Sequence, residues 1–282
     1  MLPTVVDKPS EAELLIRRNC VTVVGNLDGP TIMFAHGFGC DQGMWARVLP
    51  FFTENYRVVL FDHVGAGHSD PAAYERDKYS SLSGYVQDLL ELCDALDLRE
   101  VTLVGHSVSS MMAVAAAVEQ PQRFKQLVLV APSPRYIDDP AEGYVGGFSS
   151  SDIDELLESM DNNYFAWAAA VAPMVMGNPE SPELGAELTG SFCQTNPDTA
   201  RDFARVTFLS DSRALLAGVS VATLVLQCSD DALAPVEVGQ YLSSRILGSR
   251  LVQLQATGHC PHISAPVETA NAILAHLHGF GD

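Results

Sequence analysis

The chain has 282 residues, of which 47% are hydrophobic, and its formal net charge is −19. This length and composition favour a single large α/β domain with a substantial core. We expect neither nucleic acid nor a membrane as a partner, because so acidic a chain is repelled by both. The charged residues Asp7, Lys8, Glu11 and Glu13 take the place of the apolar block of a signal peptide, so we expect a cytoplasmic protein.

Short apolar runs rich in β-branched residues recur along the chain. They are residues 20–24, 31–35, 57–61, 101–104, 127–131, 223–227 and 251–254. Runs of this kind are typical of strands buried on both faces of a parallel sheet. Helical periodicity lies between several of them, over residues 84–96, 108–119 and 266–277. The alternation predicts right-handed βαβ units and a doubly wound sheet, preceded by a loose extension over residues 1–10.

Residues 133–212 interrupt this alternation, because they contain helix starts but no convincing strand. Ser181-Pro182-Glu183 and Asn196-Pro197-Asp198 each place a capping side chain before a first-turn proline. The segment holds 14 Asp/Glu and 3 Lys/Arg, so its net charge is −11. We predict a helical lid over the functional site, inserted into a core domain made of residues 1–132 and 213–282.

The stretch LVGHSVSS, residues 103–110, predicts a nucleophile. A buried strand ends at Gly105, Ser107 follows in a tight turn, and an Ala-rich helix begins at once. This arrangement is typical of the nucleophile elbow of serine hydrolases. The usual motif is Gly-x-Ser-x-Gly, and Ser109 stands in its last position, where we expect the small side chain to be tolerated. A plain strand-to-helix turn is the alternative interpretation.

A catalytic serine needs a base and an acid that orients the base, and in this architecture they follow in the order Ser, acid, His. LQCSDDALAP places Asp230 and Asp231 just after a strand, and these residues leave open which of the two is the acid. LQATGHCPH places His259 and His262 after the next strand. We favour His259 as the base, because Gly258 before it suits a turn that presents the ring.

An oxyanion hole requires two backbone N–H groups. One is expected from Val108, which follows the nucleophile. The other is expected from Phe38, in the glycine-rich stretch FAHGFGCDQGMW after the second predicted strand. An ordinary glycine-rich turn is the alternative interpretation of that stretch. A dinucleotide-binding fold is disfavoured, since no GxGxxG motif follows the first strand.

The cysteines and histidines suggest neither disulfides nor a metal centre. The six cysteines include no CxxC pair, which in a chain of this length predicts reduced thiols. The eight histidines include no HExxH motif and no cluster with zinc-ligand spacing. The close pairs are His259 with His262 and His276 with His278. We therefore predict no metal and no other cofactor.

The motifs together resemble those of RsbQ-type α/β-hydrolases of bacteria, which are sisters of the plant strigolactone and karrikin receptors. The stretches that carry the resemblance are HGFGCDQGMW, LFDHVGAGHSD, GHSVSSMM, LQCSDDALAP and GHCPH. The resemblance implies an α/β-hydrolase fold with a mostly parallel eight-stranded sheet under a four-helix lid. It also implies a catalytic triad of Ser107, Asp231 and His259, with Asp231 preferred because the family's acid lies four residues before a proline, here Pro235.

The same resemblance implies an oxyanion hole at Phe38 and Val108 and an enclosed, apolar substrate pocket. Its implied pocket residues are Phe38, Tyr136, Phe148, Trp167 and Phe208. Two functional hypotheses follow. In the first, the chain is a serine hydrolase of carboxylesterase or lactonase type that turns over a small apolar ester or lactone. In the second, it is a slow hydrolase that senses a ligand and signals to a PAS-domain phosphatase in a stress response. The natural ligand is left open.

Overall fold

The structure is a computed structural model that describes residues 8–279. Its seven strands are β1 (Thr22–Gly25), β2 (Thr31–Ala35), β3 (Arg57–Leu60), β4 (Val101–His106), β5 (Phe124–Val130), β6 (Ala222–Gln227) and β7 (Arg250–Gln253). Its α-helices are α1 (Glu11–Arg18), α2 (Leu82–Ala95), α3 (Val108–Glu119), α4 (Ser150–Asn162), α5 (Tyr164–Met176), α6 (Pro182–Gln194), α7 (Pro197–Phe208), α8 (Val236–Arg245), α9 (Pro261–Ser264) and α10 (Pro266–Leu277). Short 3-10 helices span Gln42–Trp45, Leu49–Phe51, Pro71–Ala73, Pro121–Arg123 and Arg213–Gly218.

The strands form one sheet in the order β1-β3-β2-β4-β5-β6-β7. β1 pairs with β3 in antiparallel fashion, and all the other pairs are parallel. Each of the seven apolar runs in the sequence coincides with a strand, so the predicted doubly wound α/β sheet is confirmed. The carboxyl ends of the parallel strands share one edge, and the loops that follow β2, β4, β6 and β7 therefore converge there.

Both faces of the sheet are buried along its inner strands, and alternate residues of a strand serve opposite faces. Ile32 and Phe34 of β2 belong to the core cluster that includes side chains of the inserted helices. Met33 and Ala35 belong to the cluster under α2 and α3. All four side chains are fully buried. This explains why the strands appear in the sequence as continuous apolar runs and not as an alternating pattern.

The eight-stranded sheet implied by the resemblance is wrong for the described residues, since the sheet has seven strands. The segment before β1 is the helix α1. Ser10 and Glu13 form a capping box there: Ser10 Oγ accepts from Glu13 N, and a Glu13 carboxylate oxygen accepts from Ser10 N at 2.7 Å. Acidic residues in the first turn and basic residues in the last turn further favour a helix over a strand. Most of the predicted extension, residues 1–7, lies outside the described residues.

The helices α4 to α7 follow one another between β5 and β6. α6 and α7 begin at Pro182 and Pro197, at the starts predicted from the sequence. Asn196 caps α7 through its side chain, whereas Ser181 makes no side-chain capping bond. None of the helices in the described part of the chain is long and apolar enough to cross a bilayer.

Candidate active site

Ser107 lies in a sharp turn between β4 and α3, at the carboxyl edge of the sheet. Its backbone has φ +55° and ψ −124°, a left-handed conformation that is strained for a residue with a side chain. Gly105 permits this turn, because a Cβ there would lie 2.4 Å from the Ser109 carbonyl oxygen. Strand and helix therefore approach closely on either side of Ser107, as the elbow motif requires.

Ser107, His259 and Asp231 form a continuous hydrogen-bonded row. His259 Nε2 lies 2.7 Å from Ser107 Oγ, and His259 Nδ1 lies 2.8 Å from Asp231 Oδ2. The carboxylate can only accept, so Nδ1 carries the ring proton and Nε2 offers its lone pair to the serine hydroxyl. This is the tautomer that a general base needs, and all three residues are buried.

The structure places Asp231, and not Asp230, next to the imidazole. Asp231 is 7% exposed, and its Oδ1 also accepts hydrogen bonds from the N–H groups of Leu233 and Ala234, at 2.8 and 3.2 Å. These two bonds fix the orientation of the carboxylate. Asp230 is exposed, and its backbone carbonyl accepts from Gly258 N at 2.7 Å. The side chain of Asp230 is thus that of a solvated loop residue.

The turn that presents His259 requires a glycine before it. Gly258 has φ +80°, and a Cβ there would lie 1.8 Å from the carbonyl oxygen of Met176 at the end of α5. His259 N donates to the carbonyl of Val175, also in α5, at 2.9 Å. The inserted helices are therefore attached directly to the loop that holds the base. His262 does not reach Ser107. It is fully buried, and burial lowers its pKa to about 3.

The glycine-rich loop after β2 lies directly against the nucleophile. A Cβ on Gly37 would be 2.5 Å from His106 Nδ1 and 3.3 Å from the Ser107 Cβ. The backbone of Phe38 is thus adjacent to Ser107, where an oxyanion would form. Val108 is the first residue of α3, so its N–H has no acceptor within the helix. The two expected donors lie on the two segments that flank Ser107 Oγ.

Ser109 and His63 brace this loop, and the sequence analysis missed both roles. Ser109 Oγ donates to the carbonyl of His36, and His63 Nε2 lies 2.8 Å from Ser109 Oγ. His36 Nε2 in turn accepts from the backbone N–H of His63 at 3.0 Å. A glycine at position 109 could not supply the hydroxyl. The departure from the usual motif therefore links the start of α3 to the oxyanion loop.

A substitution in this loop tests the oxyanion hole. We expect Gly37→Ala to lower kcat for an ester by about 10²–10³-fold, because the new methyl group displaces the loop and misplaces one of the two donors. Gly190→Ala is the matched control, since nothing lies within 4 Å of a Cβ at that exposed position of α6. Steady-state kinetics on both variants checks the expectation. Equal activity in the two variants would contradict the assignment.

The triad opens into a small cavity with apolar walls. Its volume is about 30 Å³, room for only one or two water molecules. Phe38, Tyr136, Trp167 and Phe208 line it, as the sequence analysis expected. The ring of Phe38 lies 6.2 Å from that of Trp167 and 6.1 Å from that of Phe208. Because small-molecule pockets usually measure about 300–1,000 Å³, the walls must move apart to admit a substrate.

Phe148 is not among the residues that line the cavity in the described part of the chain, so its place in the substrate pocket stays a prediction. Phe148 N donates to the carbonyl of Tyr136 at 3.2 Å, and Asp138 N donates to the carbonyl of Phe148 at 2.8 Å. This pairing holds Phe148 beside Ile137, packed against the outside of the core. Tyr136 lies closer to the chemistry than expected, with its hydroxyl 3.3 Å from Ser107 Oγ. Burial raises the pKa of that phenol, which stays protonated.

Comparisons with known proteins agree with this fold. The alpha/beta hydrolase fold family matches residues 30–266. The chain is 40% identical to the strigolactone esterase D14 of Arabidopsis thaliana, over 89% of this chain and 92% of that protein. It is 37% identical to the karrikin insensitive 2 receptor IA of Petunia hybrida, over 91% of this chain and 93% of that protein. A solved hydrolase structure from Oleispira antarctica shares 41% identity with a TM-score of 0.92, covering 96% of this chain and 98% of that one. The chain belongs to the alpha/beta hydrolase fold family.

Proposed function

We propose that the chain is a serine hydrolase that cleaves a small, uncharged ester or lactone through Ser107, His259 and Asp231. The chain is a hydrolase of esterase type, in keeping with its esterase and hydrolase relatives. The observation that carries the proposal is the hydrogen-bonded row in which Nε2 of a correctly oriented imidazole lies 2.7 Å from Ser107 Oγ. The apolar cavity around it supports a substrate with little polar surface.

The mechanism follows from this geometry. His259 Nε2 takes the proton from Ser107 Oγ as that oxygen attacks the carbonyl carbon, and the N–H groups of Phe38 and Val108 stabilise the oxyanion. His259 then gives the proton to the leaving alkoxide, which departs and leaves an acyl group on Ser107. A water molecule deprotonated by His259 then attacks the acyl carbonyl. Ser107 Oγ leaves and takes the proton back from His259 as the acid is released. Asp231 holds the ring tautomer and stabilises the imidazolium.

The turnover of p-nitrophenyl acetate tests the proposal, with the burst and the steady state recorded separately. A steady release of p-nitrophenol that scales with enzyme concentration is expected. The absence of both burst and steady turnover, with this ester and with a small lactone, would contradict the proposed activity.

The acidic surface near the cavity should favour uncharged substrates. An outer groove of about 450 Å³ between α4 and α5 shares Trp167 and Val171 with the inner cavity, so these side chains separate the groove from the active site. Glu155 and Glu158 line the same groove and are exposed. A substrate that enters here passes two carboxylates, which repel an anion.

We therefore expect Glu155→Gln/Glu158→Gln to raise kcat/KM for the anionic ester p-nitrophenyl hemisuccinate by up to about fivefold, with little change for p-nitrophenyl acetate. The control is Asp154→Asn/Glu183→Gln, which removes the same charge from exposed positions of the inserted helices outside the groove. Kinetics at low and high salt checks the electrostatic cause, because screening should erase the difference. An equal gain in the control would assign the effect to net charge and not to the groove.

A second candidate is a signalling role of the RsbQ type, in which a cytoplasmic chain with slow hydrolysis acts on a PAS-domain phosphatase. The small volume of the cavity favours it, because walls that must move apart for each substrate suit slow turnover. The presence of receptors among the relatives also favours it. The six cysteines are all free, which agrees with a reducing compartment. A Ser107-dependent burst followed by very slow turnover would select this candidate, and fast steady turnover would select the metabolic esterase.

A further inference from the structure

Three side chains that can bind a metal meet beside the proposed triad, although they are far apart in the sequence. His106 ends β4, Cys260 follows His259, and His262 lies in α9. One ring nitrogen of each histidine and the Sγ of Cys260 lie within 4.8 Å of one another. The three residues are buried, and the histidine positions alone did not suggest a cluster, because His106 comes from a distant segment.

Several nitrogen atoms in this cluster lack the hydrogen bonds that buried imidazoles normally make. His106 Nε2 lies 2.8 Å from the carbonyl oxygen of His259. That oxygen can only accept, so Nε2 carries the ring proton and Nδ1 keeps its lone pair. His106 Nδ1 and both ring nitrogens of His262 have no hydrogen-bond partner among residues 8–279. Buried polar atoms are nearly always paired, so free lone pairs beside a buried thiol point to a missing ligand.

We propose that His106, Cys260 and His262 form a binding site for a thiophilic metal ion of the Zn²⁺ class, and that the bound ion inhibits the hydrolase. Two imidazoles and one thiolate are a ligand set that zinc takes in proteins. Tetrahedral zinc ligands lie about 3.3–3.8 Å apart, so the three side chains need to close by about one ångström. His106 and Cys260 also line the inner cavity, from which a water molecule could supply a fourth ligand.

Metal binding exchanges the proton of the Cys260 thiol for the metal ion. The ion forms a bond to the Cys260 sulfur, and the thiol proton leaves to solvent. One divalent charge and one thiolate leave a net charge of about +1 at the site. This charge lies beside His259, because Cys260 is the next residue. It opposes the imidazolium that His259 must become during proton transfer. Inhibition thus rests on the proposed function, whereas metal binding does not.

Co²⁺ is a suitable probe, since a thiolate ligand gives it a near-ultraviolet charge-transfer band. The parent chain carries Cys193→Ser, because Cys193 is exposed and would compete. We expect saturation at one Co²⁺ per chain with a thiolate band, and displacement by Zn²⁺. Cys260→Ala and His262→Phe should each lose this site, and Cys93→Ala, which removes a buried thiol in α2, should keep it. No thiolate band in the parent, or a band unchanged in both site variants, would overturn the proposal.

A measurement on the parent alone covers the case in which a site variant does not fold. Zinc-edge X-ray absorption on the one-to-one complex should show one sulfur at about 2.3 Å and nitrogen ligands at about 2.0–2.1 Å. A shell of nitrogen and oxygen without sulfur would refute the site.

Inhibition by zinc is measured separately from binding, by a turnover assay. One equivalent of Zn²⁺ should lower p-nitrophenyl acetate turnover at least tenfold in the parent and in Cys93→Ala, with recovery after EDTA. The turnover that remains in Cys260→Ala should be insensitive to Zn²⁺. Turnover that is unchanged when zinc is bound would refute the proposed inhibition. A metal-free parent without turnover would instead contradict the proposed function, and the Co²⁺ titration would still decide the binding.

Discussion

Replacing Ser107 by alanine should abolish turnover and covalent labelling together. We expect kcat for p-nitrophenyl acetate to fall by about 10⁶-fold, since the members of a triad act as a unit and Ser107 Oγ is the oxygen that lies 2.7 Å from His259 Nε2. Labelling by a fluorophosphonate should disappear at the same time, because this reagent reacts with an activated serine. Mass spectrometry of the intact chain and of its peptides measures the label, and stopped-flow kinetics measures the burst.

Ser210→Ala provides the control for that experiment. Ser210 lies after α7, and its hydroxyl donates to the carbonyl of Thr207 at 2.9 Å, away from His259. This variant should keep both the label and the rate. A label that persists on another residue of Ser107→Ala would show that the nucleophile lies elsewhere.

Asp231→Asn should produce the second large effect, a loss of about 10⁴-fold in kcat. The amide keeps the shape of the carboxylate, but it can donate to Nδ1. The ring can then place its proton on Nε2, where Ser107 Oγ needs an acceptor. Activity is therefore lost because the imidazole adopts the wrong tautomer, and the fold should be unchanged. Steady-state kinetics and far-ultraviolet circular dichroism measure the two properties separately.

Asp230→Asn is the matched control, because Asp230 is the neighbouring acid and its side chain is exposed. Its backbone carbonyl, which accepts from Gly258 N, is retained in the variant. Activity close to that of the parent is expected. If Asp230→Asn were the inactive variant and Asp231→Asn the active one, the acid that orients His259 would be Asp230 and not Asp231.

The parts of this protein that could be predicted from its sequence are those coded by short stretches of chain. A strand buried on both faces needs an uninterrupted apolar run, and all seven runs became strands. The elbow needs a glycine near a serine between a strand and a helix, and Gly105 and Ser107 meet that requirement. The order of Ser107, Asp231 and His259 along the chain then determined which loops to examine, because parallel strands bring those loops to one edge.

The parts that could not be predicted depend on packing between distant segments. Phe148 was placed in the pocket by motif matching, but it is not among the residues that line the cavity, and its backbone pairs with Tyr136 and Asp138. Ser109 appeared to be a tolerated small residue, yet its hydroxyl reaches the carbonyl of His36 from another loop. The cluster of His106, Cys260 and His262 also could not be predicted, because β4 and α9 come together only in the folded chain.

The left-handed backbone of Ser107 has a consequence for how the protein responds to heat. A strained conformation of this kind costs about 1–3 kcal/mol and persists only while the surrounding strand, helix and loops enforce it. Relaxation of this turn would release the strain and move Ser107 Oγ without unfolding the core. We therefore expect hydrolysis to fail at a lower temperature than unfolding. Activity and circular dichroism recorded against temperature would show whether this one turn, and not the melting of the core, sets the temperature range of the enzyme.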